Sequence, residues 1–267
     1  VEIAGAIGEM KRYILRREYP GISIDDVKVT LIEGTGRLLQ AMGEQSSAHA
    51  LEYMDHLMVD VRLNTLVKSY ENNTITFTDG TQMYSEMVIW TAGVKGIPFT
   101  FFGTQPQIAR GGRFEVDEFN RVSGLQDVYA IGDIASHSDE RYPHGCPQVA
   151  QVAIQQGINL AHNLGKEAAR RHPFVYKDKG SMATVGRNRA VVDLPHPRMH
   201  IYGRPAWIAW MAIHLLSLLG MRNKISVFIN WVWGYFTYSS SLRLLILPTR
   251  LPLRQRWAPL DNHNPCK

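Results

Sequence analysis

Cysteine is scarce here: 267 residues contain two, Cys146 and Cys266. They lie too far apart for a CxxC pair, and two thiols alone cannot hold a metal cluster. No metal site is expected, and a reducing compartment fits. An initiator methionine and a signal-peptide pattern are missing at Val1, so the chain reads as one whose upstream part is absent. Acid is scarce at the other end. Arg198 to Lys267 holds nine Lys/Arg and one acid, Asp261, whereas the rest holds 20 Lys/Arg against 23 Asp/Glu. Long apolar runs are also lacking. Ala206 to Leu219 and Ile225 to Tyr238 are each about 21 Å long as helices, short of the ~30 Å hydrocarbon core, and Arg222 and Lys224 separate them. That disfavours one continuous membrane span.

What is present begins with a helix. Ile3, Ile7, Met10 and Ile14 recur at helical spacing until Pro20-Gly21, and Ala4, Gly5 and Gly8 would let that helix approach a sheet closely. Val27 to Ile32 reads as a strand ending at Glu33, followed by a Gly34-Thr35-Gly36 turn and a helix over Gln45 to His56. Short strands are expected at Val59 to Leu63, Thr65 to Tyr70 and Thr74 to Thr78, joined through Asn72-Asn73 and closed by Asp79-Gly80. Met87 to Thr91 reads as one more buried strand, ending in Ala92-Gly93. Helix, strand with a terminal acid, helix, meander, strand is the order of a nucleotide-binding α/β unit whose first strand and glycine turn are removed. Glu33 then suits a ribose acceptor that disfavours a 2′-phosphate. Its distance from any upstream glycine turn, over 30 residues against the usual ~20, leaves a plain solvent-facing Glu as the equal alternative.

The run Val128 to Gly157 is the most informative. A strand ending in Gly132-Asp133 is expected just before a helix opening at Pro147, with Gln151 and Gln155 one turn apart. Residues 174–193 read as two strands around a Lys179-Gly180 turn. In the tail, Ser226, Asn230, Gly234 and Thr237 form one narrow polar stripe on an otherwise apolar helix. Trp207, Trp210, Trp231 and Trp233, basic residues and missing acids favour helices lying in a lipid interface; a core or protein interface is the alternative. Nucleic acid is not expected, because the basic residues interleave with aliphatic runs.

These segments carry a resemblance. VEIAGAIGEM, LIEG, VIWTAGVKG, VYAIGD, AQVAIQQG, YKDKGSMATVGRNRAV and GMRNK with its Trp-rich helix are similar to type II NADH:quinone oxidoreductases, over essentially the whole chain. The resemblance implies an α/β fold: remnants of two nested Rossmann-type dinucleotide-binding domains plus a C-terminal amphipathic helical membrane-binding segment. It implies an NADH unit at 1–93, the C-terminal part of an FAD unit at 94–195, and a membrane-associating tail at 196–267. The glycine turns for both cofactors, FAD and NADH, would lie upstream.

It also implies roles. Gly132 and Asp133 would meet the FAD ribityl chain, and Pro147, Ala150 and Gln151 would bring a helix N-terminus to the flavin ring. Ala92 and Gly93 would lie beside the cofactors. Gln151 and Gln155 would hydrogen-bond a lipid quinone; Glu2 and Lys224 would assist charge or proton movement. Hydride would pass from NADH to FAD and two electrons to the quinone, on the cytoplasmic face of a bacterial inner membrane or its organellar equivalent, with a homodimer left open. The competing readings are a soluble two-dinucleotide reductase serving a protein acceptor and a membrane-binding fragment without activity.

Overall fold

The computed structural model describes residues 1–97, 99, 103 and 105–237. Tyr238 and the rest of the expected tail, 239–267, lie outside the described residues.

Helix α1 (Glu2–Glu9) runs on through a π-helical turn (Met10–Leu15) into a closing turn, α2 (Arg16–Glu18). It stops at Tyr19, whose extended φ of −132° suits a residue before proline. Glycines let it pack on two sides. A Cβ at Gly8 would lie 3.0 Å from Leu57 Cβ and from Val59 Cγ2; one at Gly5 would lie 3.1 Å from Gly186 N. The small residues therefore bring α1 against a sheet, as expected, and also against a later hairpin.

Strand β1 (Val29–Ile32) pairs in parallel with β2 (Val59–Arg62) across the crossover helix α3 (Glu44–His56). The buried face of α3 (Ala50, Tyr53, Met54) forms one core with Leu38, Leu57, Val59, Ala183, Val185 and Val191. The first α/β unit and the C-terminal sheet thus share a core. Each large aliphatic side chain buried there contributes about 1.5–3 kcal/mol. A meander follows: β3 (Val67–Glu71), β4 (Thr74–Phe77) and β5 (Gln82–Tyr84). Asn72 and Asn73 both take left-handed φ, 48° and 60°, as a two-residue hairpin turn requires.

Next come β6 (Ile108–Ala109), β7 (Arg113–Val116) and β8 (Ala135–His137), the last pair parallel, and then α4 (Ala150–Asn163). An antiparallel sheet of β9 (Ser181–Thr184), β10 (Ala190–Pro195) and β11 (Arg198–Tyr202) leads into α5 (Arg204–Ser217) and α6 (Met221–Thr237). Among the described residues no helix is long and apolar enough to cross a membrane.

Several expectations need correction. Met87 to Thr91 is not a buried strand: no described residue pairs with it, and Met87 and Trp90 are 74% and 64% exposed. Apolar residues alone do not make a strand; its backbone needs a ladder, and among the described residues β1 and β2 pair only with each other. For the same reason Val128 to Ile131 forms a single bridge, Arg121 to Tyr129, before a 3₁₀ turn at Gly132–Ile134. The hairpin turn lies at Gly186–Asn188, not at Lys179-Gly180; both of those end residues have left-handed φ, and Val185 N–H donates to Arg189 O. Strands β10 and β11 form a hairpin across residues 195–198. The tail's first residues extend the sheet as β11, with Val192 opposite Ile201.

Candidate functional site

Helix α4 organises the site. It starts at Ala150, not at Pro147, because Val149 is extended (φ −135°, ψ 149°) and its N–H turns back to Pro147 O. Pro147 therefore lies before the helix instead of in its first turn. The N-terminus has no side-chain cap and no acid in the first turn; Val152 and Ala153 N–H turn back to Val149 O, and the Ala150 and Gln151 N–H groups with the partial positive charge stay available to an acceptor.

Four amides at four-residue spacing share one face of α4 and zip the extended segment 172–180 to it. Gln151 donates to Gly180 O (3.0 Å) and accepts from Lys179 N (3.1 Å). Gln155 donates to Lys177 O (2.9 Å) and accepts from Lys177 N (3.0 Å). Asn159 donates to His172 O (3.1 Å); Asn163 donates to the same oxygen (2.8 Å) and accepts from His172 N (2.9 Å). Among the described residues the segment has no strand partner, and these side chains take the place of a ladder. Each glutamine keeps one amide N–H beyond these bonds.

The Gly132-Asp133 turn is held from two sides. Gln156, 1% exposed, accepts from Gly132 N at 2.7 Å, and Gln148 donates to Asp133 O at 3.0 Å. Gly132 has φ +72°, and a Cβ there would lie 3.2 Å from Ala153 Cβ. Glycine and alanine are both required for this approach. The Asp133 side chain is exposed. Below the turn, buried Arg113 donates to Ala135 O and to Cys146 O (2.9 Å). Burial pushes its guanidinium below the ordinary value, partly offset by Cys146 and Asp133. The buried Cys146 thiol is pushed up to about 11, chiefly by desolvation, so it is a packing residue in the cluster with Val152, Phe174 and Tyr176.

Of the residues singled out from the sequence, Gly132, Asp133, Pro147, Ala150, Gln151 and Gln155 gather around the start of α4. Glu2 lies on α1, accepting from Thr184 N and Oγ1 (3.1 and 3.3 Å) in β9, the strand that follows Gly180. Glu33 accepts from Thr35 N and Oγ1, both at 2.9 Å. Ala92 and Gly93 are exposed, just before Gly96 N–H donates to Gly111 O (2.8 Å). Lys224 stands apart: its Nζ donates to Leu216 O (2.9 Å), covering a carbonyl left open at the end of α5. Gln156, Gln148, Asn159 and Asn163 were missed. The Asn pair continues the i, i+4 series, which was the available signal; nothing in the sequence separates buried Gln156 from exposed neighbours.

A parallel α/β crossover, a glycine turn aimed at an uncapped helix and an appended pair of Trp-rich helices define a dinucleotide-binding oxidoreductase class. Residues 1–157 match the pyridine nucleotide-disulphide oxidoreductase family and residues 179–237 match the NDH2 C-terminal domain. The chain belongs to the pyridine nucleotide-disulphide oxidoreductase family, in its type II NADH:quinone oxidoreductase branch. It is 31% identical over 243 residues to the type II NADH:quinone oxidoreductase Ndh of Mycobacterium tuberculosis, covering 86% of this chain and 51% of that protein. It is 30% identical over 249 residues to the mitochondrial internal alternative NAD(P)H-ubiquinone oxidoreductase A1 of Arabidopsis thaliana, covering 87% and 48%. The chain thus spans about half the length of the curated relatives it matches. The structure of NDH2 from Plasmodium falciparum in complex with NADH superposes with a TM-score of 0.74 at 17% identity, over 89% of this chain and 64% of that one. That likeness carries the Rossmann-type fold.

Proposed function

We propose that this chain serves flavin-dependent transfer of a hydride from NADH to FAD and of two electrons on to a membrane quinone. The observation that carries the reading is the start of α4, where the Gly132-Asp133 turn, held by Gln156 and Gln148, packs beside an uncapped helix N-terminus whose other face carries the clamped Gln151 and Gln155.

The residues fit FAD. Gly132 lets the turn pack closely on Ala153 of α4, and the exposed Asp133 carboxylate presented by that turn suits ribityl hydroxyls. FAD, when bound, supplies the hydride acceptor and electron donor. The α4 N–H groups, with Pro147 and Ala150 at their approach, stabilise negative charge at the ring. The second amide N–H of Gln151 and of Gln155 donates to a quinone carbonyl. Glu33, with Oε1 fixed by Thr35, accepts from ribose hydroxyls and favours NADH; Ala92 and Gly93 line the crossing between units 1–93 and 94–195. Glu2 holds a charge near the nicotinamide side, and Lys224 offers one at the turn between α5 and α6.

The membrane part follows from α5 and α6, which carry no acid and expose Ile208, Leu216, Phe228 and Trp233. These helices lie in the interface of an inner bacterial or organellar membrane, without spanning it. A soluble reductase has no use for such a face.

The test measures FAD binding and NADH-driven reduction of a short-chain quinone, by this chain and by this chain extended with the N-terminal half of the mycobacterial relative. Absence of FAD binding in the extended chain would sink the reading. Gln155→Ala should slow quinone reduction more than flavin reduction by NADH; equal losses would remove Gln155 from the quinone site.

A further inference from the structure

A cavity away from α4 is lined by the end of α1, the tip of the β9–β10 hairpin and the helices α5 and α6. It has two parts that share Glu9, Tyr13, Arg187, Asn188 and Arg204. One is a polar chamber of about 220 Å³ that adds Arg189; the other is an apolar groove of about 680 Å³ walled by Trp207, Trp210, Trp231 and Phe228. The groove lies within the roughly 300–1,000 Å³ usual for small-molecule sites.

Its charge is one-sided. Three arginines face one carboxylate, and Glu9 is already engaged in accepting Arg187 N–H. The Arg187 guanidinium donates to Tyr235 O (3.0 Å) and Gly234 O (3.2 Å) and stacks over the Tyr235 ring at 5.4 Å. It therefore fixes α6 to the hairpin and keeps its positive charge at the seam between chamber and groove. Arg204, in the first turn of α5, is exposed to the chamber. Tyr235 hydroxyl donates to Asn188 Oδ1 (3.3 Å), and Trp207–Tyr235 and Trp210–Trp231 ring contacts at 5.6 and 6.1 Å build the apolar wall. A cationic chamber opening on an indole-lined groove matches a ligand with an anionic head and a hydrocarbon chain.

We propose that this cavity seats one anionic phospholipid, its phosphate at Arg204, Arg187 and Arg189 and an acyl chain in the Trp groove. The assignment rests on the membrane-surface reading of α5 and α6, and makes that surface selective for headgroup charge. A short-chain anionic lipid tests it without a bilayer. Dihexanoyl phosphatidylglycerol below its micellar concentration, titrated calorimetrically into the full chain, should bind saturably at one site. It should bind roughly tenfold more tightly than dihexanoyl phosphatidylcholine, whose choline cation meets the three arginines of the chamber, and Arg204→Gln should remove most of that preference. Equal affinity for both headgroups would overturn the proposal. So would the absence of saturable binding, or inorganic phosphate binding as tightly as the lipid. Flotation with neutral phosphatidylcholine vesicles is read separately. A chain that floats but shows no headgroup preference in the monomer titration keeps the membrane reading and loses this pocket.

Discussion

Replacing Gln156 with leucine probes the turn on which the candidate flavin contact depends. The substitution keeps side-chain volume close to native but deletes the oxygen that Gly132 N–H reaches at 2.7 Å, inside a residue 1% exposed. Leucine cannot accept, and its bulk keeps water out, so the Gly132 N–H is left unpaired. Such a group costs about 1–3 kcal/mol, while leucine's apolar burial returns part of that to the global stability. The loss should therefore concentrate locally. By the relation of 1.4 kcal/mol per factor of ten, hydrogen exchange in a peptide spanning 129–136 should accelerate roughly 5- to 150-fold, with a urea midpoint change worth under about 2 kcal/mol. Mass-spectrometric exchange on the native chain reads this directly. If the 129–136 peptide exchanged as slowly in the variant as in the wild type, Gln156 would be a volume filler and the two-sided hold on Gly132-Asp133 would be wrong.

Gly132→Ala should destabilise by about 1–2 kcal/mol, because φ +72° is left-handed and the new methyl meets Ala153 at 3.2 Å; urea unfolding measures it, and a neutral result would refute the close approach. Gly8→Ala should cost about 1–3 kcal/mol through contacts at 3.0 Å with Leu57 and Val59, checked the same way. Cys146, raised to about 11 by burial, stays a thiol at pH 8 and should resist iodoacetamide until denaturant is added; peptide mapping separates it from Cys266. Asp193 gives a pH effect. Burial alone would raise its carboxyl, but hydrogen bonds from Ser46, Gly43 N–H and His200 outweigh that and hold it below the ordinary 3.8. A depressed folded value means its stabilisation is present above the unfolded value and is lost as pH falls through the folded one. Asp193→Asn should therefore flatten the acid limb of urea stability below about pH 4; an unchanged slope would exclude Asp193 as its source.

Much of the fold was legible because it is local. The helical spacing of Ile3, Ile7, Met10 and Ile14, the Asn72-Asn73 turn and the crossover between β1 and β2 are each written within a few dozen residues. The errors share a cause. Met87 to Thr91 and Val128 to Ile131 have strand composition, yet a strand is a relation between two segments, and composition does not say whether the second is there. The misplaced hairpin is a contest between two glycine turns. Gly180 also has left-handed φ, but its backbone lies against Asp193 O, where a Cβ would approach to 2.4 Å, so it serves close packing while Gly186 and Asn188 make the turn. The same limit governs the site. Spacing put Gln151 and Gln155 on one face, but could not reveal that Lys177 to Gly180 would cover that face and use half of each amide. Any quinone contact must therefore use the N–H that remains, which fixes the amide as donor and the quinone oxygen as acceptor. On the proposed reading, Gln155→Glu, which keeps an oxygen and removes the N–H, should slow quinone reduction more than flavin reduction by NADH in rapid mixing; equal losses in both would refute the donor role.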